Sequence, residues 1–144
     1  SFDRIPCASD GSLLLDKAAA LLRPETKLVV CLHASNVCGT VMPAQEIGNF
    51  CKEHELLFIL DTAQTAGTID IDMEKYHIDA LAFTGHKGLR GPQGTGGFLI
   101  RNELAAQIDP LISGGTGSTG ISSGSFRTRN SQYTGDSGTA CRTL

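Results

Sequence analysis

The chain has 144 residues, 40% of them hydrophobic and 19% charged, with a net charge of −3. That is the size of one ordinary domain, able to bury about two thirds of its unfolded surface, and its slight acidity leaves no basic footprint for nucleic acid. No run of about 18 apolar residues is present, so no segment reads as a membrane-crossing helix.

Residues 12–22, SLLLDKAAALL, carry apolar side chains all round a helix-forming run, and Pro24 follows its end, which predicts a helix. KLVVCLH at 27–33 is a short β-branched apolar run and predicts a strand buried on both faces. MPAQEIGNFCKEHE at 42–55 predicts a helix with Pro43 at its first position and Ile47, Phe50 and Cys51 on one face. LLFILD at 56–61 predicts a second buried strand ending in an acid, DALAFT at 79–84 a third, and GGFLIR at 96–101 a fourth. This rhythm is that of the α/β class, a three-layer fold around a mostly parallel sheet. From Ser113 the character changes: nineteen of the twenty-eight residues 113–140 are Gly, Ser or Thr, which predicts a flexible tail.

The five cysteines, Cys7, Cys31, Cys38, Cys51 and Cys141, form neither a CxxC pair nor a zinc-type spacing. They read as reduced thiols, mostly small apolar fillers, and a cytoplasmic location is expected for them.

Ligands of layered α/β sheets gather beyond the carboxyl ends of the strands. Asn36 lies just beyond the first predicted strand, Asp61 ends the second, and Thr84, His86 and Lys87 lie at or just beyond the end of the third. Three strand ends thus deliver polar groups to one edge. A lysine in a loop is ordinarily a solvated surface group, yet Lys87 directly follows a buried strand and sits in GHKG. An amine near apolar surroundings and cationic neighbours loses its proton more easily, as a Schiff-base lysine requires. Asp61 either caps the turn that follows it or pairs with a protonated ring nitrogen, the partner that pyridoxal phosphate needs. Gln64 can donate to a phenolate oxygen, and Thr84 with His86 suits a phosphate. The glycines at 85, 88, 91, 94, 96 and 97 permit either close approach of a ligand or tight turns. Walker and Rossmann fingerprints are absent.

Taken together, LHASNVCGT, LDTAQTAG and FTGHKGLRGPQGTGG closely resemble the central part of the cysteine desulfurase and selenocysteine lyase group, class V aminotransferases of PLP fold type I. The resemblance runs from about Lys27 to Ser118 and implies that residues 1–118 form a partial PLP-binding large domain. It implies that the cofactor is pyridoxal 5'-phosphate, that Lys87 is the catalytic lysine forming the internal aldimine, and that Asp61 holds the pyridinium nitrogen. By the same resemblance, Gln64 meets the ring phenolate, Thr84 and His86 the phosphate, and Asn36 the carboxylate of a small, cysteine-like amino-acid substrate. A homodimer is implied for the full-length enzyme, with the Gly-Gly-Thr-Gly at 114–117 reaching toward the partner's cofactor. The family's ring-stacking residue, persulfide-forming cysteine and carboxylate-binding arginine have no match in this sequence. The chain therefore reads as a fragment with little or no desulfurase activity alone. A non-catalytic α/β remnant without cofactor, and a different class V reaction, stand as alternatives. Past residue 118, QYTGDS at 132–137 is what the family's sequence becomes when read one base out of frame, so residues 119–144 are expected to be an unstructured, frameshifted tail.

Overall fold

The structure, a computed structural model, describes residues 1–108. The frameshift reading of residues 119–144 and the loop at 114–117 fall outside the described residues.

Each of the four predicted apolar runs forms a strand: β1 (Leu28–Leu32), β2 (Leu57–Asp61), β3 (Ala80–Thr84) and β4 (Gly96–Ile100). They make one sheet in chain order, β1-β2-β3-β4. β1, β2 and β3 are parallel, with Leu32 beside Asp61 and Asp61 beside Ala82. β4 returns antiparallel to β3, pairing Thr84 with Gly96. A parallel neighbour needs a crossover, whereas an antiparallel one needs only a loop. The segment between β1 and β2 accordingly carries a ten-residue helix, α1 (Ala44–Glu53), while residues 85–95 form a loop. A single turn, α2 (Asn102–Ala105), follows β4.

α1 begins one residue later than its sequence predicts, with Pro43 in the capping position at φ −76°. It buries Ala44, Ile47, Gly48 and Cys51. Ile47 packs in one core with Phe58 and Leu60 of β2, all three fully excluded from solvent. Burial of side chains this size stabilises the fold by about 1.5–3 kcal/mol each. The β2–β3 connection joins the same core through Ile71, Met73, Tyr76 and Ile78. Gly48 is required where the two meet: a Cβ there would run into the carbonyl of Tyr76. Arg101 secures that connection to the end of β4, its Nε donating to the Ile78 carbonyl at 2.8 Å and its Nη2 to the Met73 carbonyl at 3.0 Å.

Two expectations are corrected. Residues 12–22 make no α-helix but two short 3-10 turns, Leu15–Lys17 and Ala19–Leu21, of which only Ala18 between them is buried. An apolar surface spread all round the run defines no single stripe to dock, and Pro24 disfavours helical geometry in the residue before it. β1, in turn, is not buried on both faces. Leu28, Val30 and Leu32 are 42%, 64% and 44% exposed, because β1 is the edge strand and no described element covers that side.

Candidate functional site

Every predicted site residue lies at the carboxyl end of a parallel strand or in the loop that follows it. Asp61 closes β2 and Thr84 closes β3. Since Asp61 lies beside Ala82 and side chains alternate along a strand, Asp61 and Thr84 project from the same face of the sheet. Thr84 lies two residues past Ala82, so the two groups are diagonal neighbours about 7–8 Å apart at the same end of the sheet.

Asp61 does cap the turn after it: its Oδ1 accepts the N–H of Ala63 at 2.9 Å. The turn then closes on itself, with the Thr62 carbonyl accepting the N–H groups of Thr65 and Ala66 at 2.9 and 2.8 Å. One carboxylate oxygen thus stabilises the turn. The side chain is exposed and takes part in no ion pair among the described residues, so the other oxygen can receive a ligand proton. Thr62 is buried and doubly tied to β3, since its N–H and its hydroxyl both donate to the Ala82 carbonyl, at 2.8 and 2.7 Å. Gln64 is half-buried within this turn, one residue before the buried Thr65.

Beyond β3, Thr84 Oγ1 and His86 Nδ1 lie 2.8 Å apart. If the hydroxyl donates to Nδ1, the Nε2–H of the exposed imidazole is left for a ligand; if Nδ1–H donates, the hydroxyl proton goes to the Thr95 carbonyl at 3.5 Å. Lys87 is exposed, rather than held in apolar surroundings, and its amine has no ion pair or hydrogen bond among the described residues. Its backbone is held in a closed loop, with the Arg90 N–H donating to the Lys87 carbonyl at 2.9 Å and the Gly91 N–H to the Gly85 carbonyl at 2.7 Å.

The glycines around Lys87 have a nearer purpose than space for a ligand. A Cβ on Gly88 would strike the Ala66 carbonyl, and one on Gly67, at φ +82°, would come within 2.9 Å of the Gly88 backbone. The Asp61 loop and the Lys87 loop therefore touch backbone to backbone. That contact brings a carboxylate and an amine from separate strands to one edge.

Asn36 is exposed in the loop past β1. The Ala34–Val41 bridge and bonds from Ser35 N–H to the Thr40 carbonyl at 2.9 Å and from Gly39 N–H to the Ser35 carbonyl at 3.1 Å draw this loop tight. Cys38 lies at its tip, and hydrogen bonding with Ser35 and then Thr40 pulls the thiol down to about 7.

Sequence reasoning overlooked His33. This residue is 3% exposed at the end of β1, and its Nδ1 lies 2.8 Å from Oγ1 of Thr65, itself 2% exposed. Burial lowers the imidazole's affinity for a proton. A histidine closing an otherwise apolar run, three residues before Asn36, was the available signal. A cavity of about 810 Å³ elsewhere, between residues 1–26 and the covered side of β1, is mainly apolar and gathers no such set of polar groups.

The donor set suits pyridoxal 5'-phosphate: a free amine for the aldehyde, a carboxylate for the ring nitrogen and a Thr–His pair for the phosphate. Comparison with known proteins shows which family the chain resembles. The aminotransferase class-V family matches residues 2–141. The mitochondrial cysteine desulfurase of Arthroderma benhamiae is 36% identical over 122 residues, covering 85% of this chain and 24% of that protein. The apo cysteine desulfurase of Thermococcus onnurineus NA1 superposes with a TM-score of 0.73 at 36% identity, covering 78% of this chain and 28% of that one. SspA in complex with cysteine gives a TM-score of 0.70 at 35% identity, over 76% and 31%. The chain thus spans about a quarter of the length of the curated relatives it matches.

The expected cytoplasmic location is overturned by the curated relatives, which are mitochondrial proteins. Free thiols register a reducing environment and not the compartment that maintains it. The partial sheet, its strand-end donors and the match along residues 2–141 agree on one assignment: the chain belongs to the aminotransferase class-V family, among its cysteine desulfurase-like members.

Proposed function

We propose that this chain supplies the cofactor-holding sheet edge of a pyridoxal 5'-phosphate enzyme that removes sulfur from cysteine or a cysteine-like amino acid. The observation that carries the reading is the meeting of the Asp61 and Lys87 loops through Gly67 and Gly88, with the amine unpaired and the carboxylate only half used. When bound, pyridoxal phosphate supplies the electron sink that stabilises a carbanion at the amino acid's α-carbon.

Each residue then has a task set by its chemistry. Asp61, through the oxygen not engaged by Ala63, holds a proton on the ring nitrogen. Gln64 donates to the ring phenolate. His86, with its Nδ1 accepting from the Thr84 hydroxyl, donates its Nε2–H to the phosphate, and the bond between the two orients the ring. Lys87 would hold the aldehyde, and its amine would move the proton at the substrate's α-carbon. Asn36 donates to the substrate carboxylate. The SspA complex with cysteine supports an amino acid of this size as the substrate class. Sulfur transfer also needs an acceptor thiol. Cys51 is buried, and burial raises it to about 12, which disqualifies it. Cys38, exposed and easily ionised, belongs to the tight loop of Asn36, and the desulfurase step is assigned to a thiol and a homodimeric assembly of the longer enzyme. The chain by itself then turns over little or no cysteine.

The test is capture of the cofactor. The 144-residue chain is mixed with pyridoxal phosphate, reduced with borohydride and mapped by mass spectrometry. A pyridoxyl label on Lys87, lost in Lys87→Ala and weakened in Asp61→Ala, is the expected result. Labelling spread evenly over surface lysines defeats the reading.

A further inference from the structure

We infer that His33 is the positioning residue of the turn that presents Asp61 and Gln64, clamping that turn at both ends from the neighbouring strand. The inference rests on the cofactor role proposed for those two residues.

His33 reaches the turn twice. Its N–H donates to the Asp61 carbonyl at 2.8 Å, and its imidazole Nδ1 meets the Thr65 hydroxyl at 2.8 Å. The five residues Asp61–Thr65, which carry both ring contacts, thus lie between two bonds to one residue. The main-chain bond continues the β1–β2 ladder and any residue can make it. The imidazole bond depends on the side chain and reaches across to the far end of the turn. His33 and Thr65 are both buried, so neither can exchange this bond for one to water without opening the site.

The clamp extends in both directions. The His33 carbonyl accepts the Met42 N–H at 2.8 Å, closing the loop that bears Asn36. The Thr65 carbonyl accepts the Thr68 N–H and hydroxyl, each at 2.9 Å, and the Ile69 N–H at 3.0 Å. Gly67, which meets the Lys87 loop at Gly88, lies inside that second set. The two residues of that buried bond thus also take part, through their main chains, in closing the Asn36 loop and the segment whose Gly67 packs on the Lys87 loop. Positioning shells of this kind hold the groups that touch a ligand and set their affinity without touching it.

Two measurements on the 144-residue chain test this. In the cofactor-free protein, Thr65→Val removes the hydroxyl at nearly constant volume. It should speed amide hydrogen exchange at Ala63 and Ala66, whose N–H groups are bonded within the turn, roughly tenfold, one hydrogen bond's worth, and leave Phe58 unchanged. Thr65→Ser and His33→Asn, which keep a polar atom near the right place, should restore protection. In the second measurement, pyridoxal phosphate is titrated in. Thr65→Val should raise its Kd about 5- to 10-fold and shift the absorption maximum of the bound cofactor, which reports the charge on the ring, with Thr65→Ser restoring both. Ile47→Val, which weakens the core away from the site, should change neither. Unchanged exchange in Thr65→Val overturns the inference whether or not the chain binds cofactor. Loss of affinity without a change in absorption maximum, or an equal loss in Ile47→Val, also overturns it, because general destabilisation then accounts for the effect. Wild-type chain that fails to capture pyridoxal phosphate defeats the proposed function, and the exchange result alone then decides whether His33 clamps the turn.

Discussion

The two faces of the sheet are built from alternate residues of the same strands and meet opposite fates. Phe58, Leu60 and Leu81 turn toward α1 and the β2–β3 connection and are at most 6% exposed. Leu28, Val30 and Leu32 turn the other way and stay open. Register aligns Val30 with Ile59, Ala80 and Ile100 on that second face, and Leu32 with Asp61, Ala82 and Phe98; it is open at β1, while Ala80 in β3 is only 7% exposed. The difference follows from topology. Parallel strands added in one direction, each by a right-handed crossover, leave every connection on the same face. Apolar patterning records that a strand is built to be covered, while connectivity decides which parts of the chain do the covering.

The widest contrast to test is thiol chemistry. Cys51 lies in the covered core and burial raises it to about 12, whereas hydrogen bonds lower the exposed Cys38 to about 7. Only the thiolate reacts, so iodoacetamide at pH 7.5 should label Cys38 about 10⁴-fold faster than Cys51. The Cys38 rate should fall as pH drops below about 7, where the thiolate takes up its proton. Peptide mapping over time measures both sites, and comparable rates would mean that the α1 side opens freely.

Next in size is Phe58→Ala, which empties the centre of the covered face and should cost about 3–5 kcal/mol, read from the urea midpoint. Gly48→Ala adds a methyl where α1 meets the Tyr76 carbonyl and should cost about 1–3 kcal/mol, since backbone rather than a mobile side chain must give way. Smallest is Val30→Lys on the open face. It should alter stability by no more than about 0.5 kcal/mol, yet lower self-association in light scattering, because a charge blunts an exposed apolar edge strand. A loss from Val30→Lys comparable to that from Phe58→Ala would show that the open face is covered in solution.

Much of the fold was legible because parallel strands are short apolar runs with abrupt ends. All four strands lie within the predicted windows, and α1 carries its apolar stripe at Ile47 and Cys51. Residues 12–22 misled because helix-forming residues without a single apolar stripe say nothing about docking. For the candidate site, the placement of Asp61, Thr84, His86 and Lys87 at one sheet edge could be read from strand ends alone. The glycines beside Lys87 were ambiguous between ligand and turn, and only the contact of Gly67 with Gly88 resolves them as loop-to-loop packing. His33 was hidden because its partner Thr65 is thirty-two residues away, and a pairing across two strands leaves no local pattern.

From its own residues the sequence determined the strand runs, the order in which polar groups close them, and the motifs that mark the family. All of these are local, set by side-chain period and by neighbours along the chain. Tertiary structure alone decided which sheet face is covered, that Asp61 spends one oxygen on its own turn, and that a buried imidazole bonds the far end of that turn. Those outcomes depend on register and close approach between distant segments, where a shift of one residue turns every side chain to the opposite face.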